Sequence, residues 1–213
     1  MRLVMMGPPG AGKGTQGELL ASRFNVPRYA TGDILRAADR EGTELGQAAR
    51  KYMDAGELVP DELIIELVGE ALGAPAAMDG YLLDGFPRTV AQAVRLEALV
   101  RNTGRDLDAV VNLVVSDDEI VRRLSSRRVC SDCGTLAPTE TLRTECPECP
   151  ACGGELITRP DDRPETVRRR LEVYREQTEP VLAWYRESGM KVLDIRGTGD
   201  VECVQVRILA GLV

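Results

Sequence analysis

The sequence predicts an α/β fold built on a mostly parallel sheet, and two observations support this prediction. Short apolar runs alternate with amphipathic segments over short connections, which is typical of chains in which each helix leads back to the next parallel strand. The run at residues 109–115 is continuous and rich in β-branched side chains, as expected for a strand buried on both faces. Two stretches, at about 30–59 and 126–162, interrupt the alternation and indicate insertions into the core.

The composition indicates one soluble globular core and excludes several classes of protein. The 213 residues are 43% hydrophobic and 29% charged, and the net charge of −7 argues against a nucleic-acid binder with a generally basic surface. No apolar run approaches about 20 residues, so no membrane span is expected. No secretory leader is visible, and we expect a cytoplasmic protein. The absence of histidine excludes a mechanism that depends on imidazole.

The first predicted strand leads into a stretch with the spacing of a phosphate-binding loop. The apolar residues 3–6 precede the sequence GPPGAGKGT at residues 7–15, and a helix is predicted over residues 13–24. Glycines allow successive backbone N–H groups to point at an anion, and the helix start and Lys13 add positive charge. The order of strand, loop, lysine and helix favours this interpretation over an ordinary glycine-rich turn. Because Gly14 stands where the general pattern has Ser or Thr, the hydroxyl that reaches Mg²⁺ is left open.

Two later segments carry candidate ligand-binding residues. In the Thr-Gly-Asp segment, Asp33 can cap the following helix while Thr31 and Arg36 face one pocket. Further on, a short apolar strand ends in the carboxylate of Asp84. Such a carboxylate, at the tip of a buried strand beside a phosphate loop, is placed to orient Mg²⁺ and its waters. A simple turn residue is the alternative for Asp84.

The C-terminal part is predicted to return to the core. A long helix is expected over residues 165–186, with a kink at Pro180 because proline cannot donate its backbone hydrogen bond. A last strand at residues 190–195 and a closing helix at residues 201–212 follow. Cys203 in that helix is expected to be a buried apolar thiol.

The segment from Cys130 to about residue 162 is compositionally distinct. It holds five of the six cysteines and few large apolar side chains, so it needs a cross-link, such as a bound metal or a disulfide, in order to fold. Two Cys-x-x-Cys-Gly knuckles have the spacing of a tetrahedral Zn²⁺ site, with candidate ligands Cys130, Cys133, Cys149 and Cys152. Disulfides are disfavoured in a cytoplasmic protein, and neither pair opens a core helix as a redox pair would. Cys146 overlaps the second pair, but the glycines after Cys152 favour the pair 149/152; iron is the alternative metal.

Several of these motifs together resemble adenylate kinases and related nucleoside monophosphate kinases. The resemblance rests on the loop at residues 7–15, the Thr-Gly-Asp segment, residues 53–61, and Asp84-Gly-Phe-Pro-Arg88. It implies a three-layer fold like that of P-loop nucleoside-triphosphate hydrolases, with a parallel five-stranded sheet and two mobile inserted subdomains. The implied core comprises residues 1–29, 60–125 and 163–213, with an AMP-binding insert at 30–59. The cysteine segment resembles the zinc-binding lid of long-form bacterial adenylate kinases, at 126–162.

The resemblance also implies a reaction and a set of site residues. The reaction is Mg²⁺-dependent phosphoryl transfer from ATP to AMP, giving two ADP. The catalytic residues it implies are Lys13, Asp84, Arg88, Arg123, Arg127, Arg159 and Arg170. The ATP-binding residues it implies are Gly10, Ala11, Gly12, Lys13, Gly14, Thr15, Arg123, Arg127 and Gly199. The AMP-binding residues it implies are Thr31, Arg36, Glu57, Leu58, Val59, Gly85, Phe86, Pro87, Arg88, Gln92, Arg159 and Arg170.

Several of these assignments have alternatives from sequence alone. Arg123 and Arg127 lie four residues apart on one predicted helix face, which a solvated surface would explain equally well. A kinase for another monophosphate would share the core, and residues Thr31, Val59 and Gln92 would distinguish it. A zinc-ribbon module that uses nucleotide as a switch is a further alternative, although it leaves the Asp84 to Arg88 motif unexplained. We expect a monomer that binds ATP, AMP and ADP, with no nucleic-acid or membrane partner.

Overall fold

A computed structural model of the protein describes residues 1–101, 104–137 and 148–212. Five strands form one parallel sheet in the order β2-β3-β1-β4-β7. They are β1 (Arg2–Met6), β2 (Arg28–Ala30), β3 (Tyr81–Asp84), β4 (Ala109–Val114) and β7 (Val192–Arg196). The predicted parallel five-stranded α/β fold is therefore confirmed.

Helices cover both faces of this sheet. They are α1 (Lys13–Phe24), α2 (Thr31–Arg40), α3 (Glu44–Ala55), α4 (Asp61–Gly73), α5 (Val90–Arg101), α6 (Asp117–Ser126), α7 (Pro164–Val173), α8 (Glu179–Glu187) and α9 (Val201–Leu212). Side chains alternate along β1, so Leu3 and Met5 pack toward α1 and α9 while Val4 and Met6 pack toward α4, α5 and α8. Both faces are apolar because both are buried. None of the helices in the described ranges is long and apolar enough to cross a membrane.

Both stretches predicted as insertions contain secondary structure outside the parallel sheet. Helices α2 and α3 lie between β2 and α4, and a small hairpin of β5 (Val129–Cys130) and β6 (Leu156–Ile157) follows α6. The hairpin strands are only two residues long, so the apolar area they bury is small. Residues 138–147, which include Cys146, lie outside the described residues, so the prediction for Cys146 stays untested.

Three local predictions need correction. Helix α2 begins at Thr31, which places Asp33 in its first turn instead of at the cap. The predicted long C-terminal helix is interrupted by a π-helical segment (Tyr174–Thr178) just before Pro180, which lies in the first turn of α8 and needs no donor there. Cys203 is exposed, whereas its neighbour Val204 is buried, because one residue rotates a side chain by about 100° around a helix.

Candidate active site

The glycine-rich loop joins β1 to α1 and encloses the Lys13 side chain. Gly10 and Gly12 have φ angles of 79° and 99°, which side chains other than glycine rarely adopt. Lys13 Nζ donates hydrogen bonds to the carbonyls of Gly7, at 2.7 Å, and Pro8, at 2.8 Å. Burial lowers the pKa of Lys13 to about 7; the Asp84 carboxylate opposes this shift and nearby guanidinium groups add to it. Among the described residues, few negative charges lie near the Lys13 ammonium group to neutralise it, so this group would stabilise an anion bound at the loop.

The predicted metal-orienting carboxylate is paired with an arginine that the sequence did not single out. Asp84 ends β3 with its side chain about 10% exposed, and Arg28 Nη2 donates a hydrogen bond to its Oδ2 at 2.6 Å. The same guanidinium packs against Gly14, the position after Lys13. A Cβ atom on Gly14 would lie 3.2 Å from Arg28 Nη2, so a Ser or Thr would crowd that group. Thr15, one residue later, is exposed.

On the other side of the cleft, Arg88 is fixed by its own neighbours in sequence. Its Nε donates to the Gly85 carbonyl at 2.8 Å, and Thr31 Oγ1 donates to the same carbonyl at 3.0 Å. Gly85 has a φ of 82°, and a Cβ atom there would lie 2.9 Å from Arg88 Nη2. Burial lowers the pKa of Arg88 to about 10, and the nearby Arg170 contributes to the shift. Arg88 is thus a partly desolvated cation held in one place.

Gln92, one of the predicted AMP-binding residues, is buried, and both the oxygen and the nitrogen of its side-chain amide are hydrogen-bonded. Its Oε1 accepts a hydrogen bond from the Arg88 backbone N–H at 2.7 Å, and its Nε2 donates to Asp61 Oδ1 at 2.7 Å. Thr89 Oγ1 donates to the other oxygen of Asp61 at 2.9 Å. A primary amide has two donors and two acceptor sites, so one of each is left for a ligand. Asp61, which sequence reasoning missed, determines which way the amide faces.

Three predicted phosphate-binding arginines surround a pair of buried aspartates. Asp162, whose side chain is fully buried, accepts hydrogen bonds from Arg127 Nε at 2.7 Å and from Arg170 Nη1 at 3.2 Å. Asp161 pairs with Arg170 at 3.1 Å. Burial lowers the pKa of Arg159 to about 10, and the nearby Arg36 and Arg127 add to this by repulsion. Sequence reasoning missed both aspartates, which lie in a short 3₁₀ turn (Pro160–Asp162) just before α7.

Arg123 connects the phosphate loop to the last predicted nucleotide contact. Its Nη1 donates to the Ala11 carbonyl at 3.2 Å and its Nη2 to the Gly197 carbonyl at 2.9 Å. A Cβ atom on Gly197 would lie 3.3 Å from the Ala11 carbonyl oxygen, so the 197–199 loop approaches the phosphate loop at Gly197. Gly199, the predicted residue, lies in the same loop with a φ of 102°.

One cleft brings most of the predicted AMP-binding residues together opposite Lys13. Those that line it are Thr31, Arg36, Glu57, Leu58, Val59, Gly85, Pro87, Arg88, Gln92 and Arg170. Phe86 differs, because its side chain is fully buried in the core and only its backbone can face a ligand. Glu57 accepts a hydrogen bond from Arg169 Nε at 2.7 Å, which ties the first insert to α7.

The four cysteines of the predicted metal site form one cluster. Their sulfur atoms all lie within 4.8 Å of one another, and the pairs Cys130/Cys152 and Cys133/Cys149 are separated by 3.4 and 3.5 Å. A tetrahedron with metal–sulfur bonds of about 2.3 Å has edges of about 3.8 Å, which fits this set. All four are free thiols. The cluster can therefore hold a metal ion, and among the described residues the pair 149/152 meets the pair 130/133.

A parallel sheet, a glycine-rich loop at its carboxyl edge and a facing cleft lined by arginines define an α/β protein that binds nucleotide phosphates. The family model for adenylate kinase matches residues 5–190. Curated adenylate kinases are similar over the whole chain: the enzyme of Acidothermus cellulolyticus is 51% identical over 100% of this chain and 98% of its own. That of Archaeoglobus fulgidus is 46% identical, over 99% and 97%, and that of Salinispora tropica 49%, over 100% and 98%.

The chain belongs to the adenylate kinase family. As a member it is an ATP:AMP phosphotransferase that uses Mg²⁺ with ATP, and its fold and the four-cysteine cluster agree with this family. The names of these relatives favour AMP over the other monophosphates that the sequence left open.

Proposed function

We propose that the cleft holds ATP and AMP end to end, with the residue roles implied by the sequence. Lys13 and the loop N–H groups bind the ATP phosphates, Arg88 binds the AMP phosphate, and Arg123, Arg127, Arg159 and Arg170 neutralise the group in transit. The observation that carries this proposal is that Lys13, Arg88 and Arg170 line one cleft with Thr31, Val59 and Gln92. The positively charged side chains can bind the phosphate of a nucleoside monophosphate, and the buried amide of Gln92 can bind its base.

The proposed reaction needs charge neutralisation and positioning more than acid–base chemistry. An AMP phosphate oxygen, already anionic, attacks the γ-phosphorus of ATP, and the bond from that phosphorus to the β,γ-bridging oxygen breaks to release ADP. Bound Mg²⁺ would reduce the negative charge on the β- and γ-phosphates, and Asp84 is the carboxylate placed to orient its waters. The arginines stabilise the equatorial oxygens of the transferred group. The absence of histidine is consistent with this chemistry.

We also propose that the inserts at residues 30–59 and 126–162 close over the nucleotides and exclude water. The proposal is supported by the position of the first insert, which lies close to both α7 and the lid. Arg169 pairs with Glu57 of the first insert, and a Cβ atom on Gly134 of the lid would lie 3.0 Å from Arg40 Nη1 of that same insert. A phosphoryl group in transit is thereby protected from hydrolysis.

The lid metal is proposed to be Zn²⁺, which is commonly bound by four thiolates in tetrahedral geometry. The protein is proposed to be a cytoplasmic monomer.

The proposed function is tested by measuring ADP formation from Mg·ATP with AMP, GMP, UMP or CMP as acceptor. We expect rapid turnover with AMP, at least about a hundredfold slower turnover with the others, and two ADP formed per ATP consumed. ADP formation that is equally fast without any monophosphate would indicate hydrolysis and contradict the proposal. Preferential turnover of another monophosphate would contradict the AMP assignment.

Nucleotide binding is expected to be coupled to proton uptake at Lys13. With a pKa of about 7 in the free protein, this lysine is mostly neutral at about pH 8, and an adjacent polyphosphate favours its charged form. Calorimetric titrations of ATP in buffers of different ionisation enthalpy should therefore show uptake approaching about one proton. The exposed Lys191→Met variant should keep this uptake and Lys13→Met should lose it. Equal uptake in both variants would show that another group takes the proton.

A further inference from the structure

Arg28 is surrounded by acidic side chains at the edge of the proposed metal site. Its guanidinium lies 2.6 Å from Asp84, 3.4 Å from Asp33 and 3.7 Å from Glu18. The Arg28 side chain is 17% exposed and that of Asp84 10%, whereas the side chains of Asp33 and Glu18 are 51% and 75% exposed. Because Coulomb attraction is screened least where solvent is excluded, the pair with Asp84 dominates.

The helix that follows the phosphate loop is shaped around this arginine. A Cβ atom on Gly14 would lie 3.2 Å from Arg28 Nη2, and one on Gly17 would lie 3.2 Å from Arg28 Nε. Because Gly14 and Gly17, one turn apart on α1, have no side chains, the Arg28 guanidinium can pack against α1 and reach the loop. Within the described part of the chain, the Arg28 Nε is buried and has no hydrogen-bond partner. Burying a donor without a hydrogen-bond partner is unfavourable, so the pair with Asp84 forms despite an unfavourable setting.

We propose that Arg28 is a positioning residue for the transfer reaction, which orients Asp84 through its Oδ2 and neutralises it while no magnesium is bound. The inference rests on the proposed role of Asp84 toward magnesium. In the free protein the guanidinium supplies the positive charge next to Gly14, so the carboxylate does not repel an incoming polyphosphate. With Mg·ATP bound, the cation would lie near the same carboxylate as Arg28, and the like charges of the cation and the guanidinium would oppose each other.

This arrangement predicts a specific effect on magnesium dependence. Without Arg28, an uncompensated Asp84 would repel metal-free ATP and would attract Mg·ATP more strongly. The two effects have opposite signs, so the ratio of the Kd for metal-free ATP to the Kd for Mg·ATP is the sensitive quantity. If Arg28 only supported the fold, its replacement would weaken the binding of both forms of ATP alike and would leave the ratio of the two Kd values unchanged.

The experiment measures both dissociation constants by calorimetry without AMP, so that no transfer occurs. One titration uses ATP with no added divalent cation and the other uses ATP with excess Mg²⁺. In Arg28→Gln, and in Arg28→Met as a second neutral variant, the ratio is expected to rise at least about fivefold over the unmodified protein, a coupling of about 1 kcal/mol. Thermal melts establish that each variant is folded.

Two controls separate the possible outcomes. Arg23→Gln removes one positive charge from the exposed last turn of α1 and should leave the ratio unchanged. Asp84→Asn should lower the ratio; a ratio unchanged in Asp84→Asn would overturn the proposed role of Asp84 and this inference with it. A ratio that falls in Asp84→Asn but stays within about twofold in the folded Arg28 variants would overturn the inference about Arg28 alone.

Discussion

Replacing Arg88 with alanine is expected to lower kcat by on the order of 10²- to 10³-fold, which is the usual effect of removing one donor aimed at transition-state charge. The KM for AMP should rise as well, because the proposed contact is with the AMP phosphate. The affinity for Mg·ATP should change by less than about twofold, since the phosphate loop and Lys13 are intact. Steady-state kinetics and a separate ATP titration measure the two effects.

The matched control is Arg95→Ala. Arg95 lies on α5, close in sequence to Arg88, but its side chain is exposed. The Arg95→Ala variant should retain the activity of the unmodified protein, and it thus controls for the loss of one positive charge. If Arg88→Ala keeps a kcat within about threefold of this control, Arg88 does not stabilise the transferred group.

Removing the lid metal is expected to lower the unfolding temperature by on the order of 10 °C. Structural zinc contributes several kcal/mol or more, and for a chain of this size each kcal/mol corresponds to about 2–4 °C. In the described part of the lid the strands are only two residues long and the cysteine cluster joins its two knuckles, so these residues offer little apolar packing in place of the metal. The measurement combines elemental analysis, which should find about one zinc per chain, with thermal melts before and after chelation.

Cysteine variants provide a direct comparison for the metal experiment. Cys149→Ala removes a buried ligand and should reproduce the chelated state, whereas the exposed Cys203→Ser should keep both metal and unfolding temperature. Adding Zn²⁺ back should restore the chelated protein but leave Cys149→Ala unrestored. An unchanged melt after verified removal of the metal would rule out a stabilising role, and iron in the elemental analysis would contradict the choice of zinc.

The parts of the site that could be predicted from sequence are those encoded by local spacing. The phosphate loop and the Gly85 to Arg88 turn each place their functional groups within a few residues, and Gly7, Gly10, Gly12 and Gly85 have positive φ angles. The cysteine pairs are similar, because a knuckle fixes its two sulfur atoms locally. The resemblance of these motifs to one family then brought the remaining residues into a single scheme.

The residues that sequence reasoning missed act through contacts between distant segments. Arg28 reaches Asp84 over 56 positions, Asp61 reaches Gln92 over 31, and Asp162 reaches Arg127 over 35. Arg28, Asp61 and Asp162 are charged residues of the kind that usually lies at the surface, and each meets its partner only when the chain is folded. The wrong prediction for Cys203 has a different cause. A helix separates adjacent residues by about 100°, so an apolar pattern that is placed one position off exposes the wrong side chain.

A single cleft is proposed to hold two nucleotides with their phosphates between Lys13 and the arginines. A crystal structure with two adenosines joined through five phosphates tests this proposal most directly. We predict that the bridging phosphates contact Lys13 and Arg88, with one adenine near Gln92 and the other near the 197–199 loop. A complex in which Lys13 and Arg88 both lie beyond about 6 Å from every bridging phosphate would contradict the account.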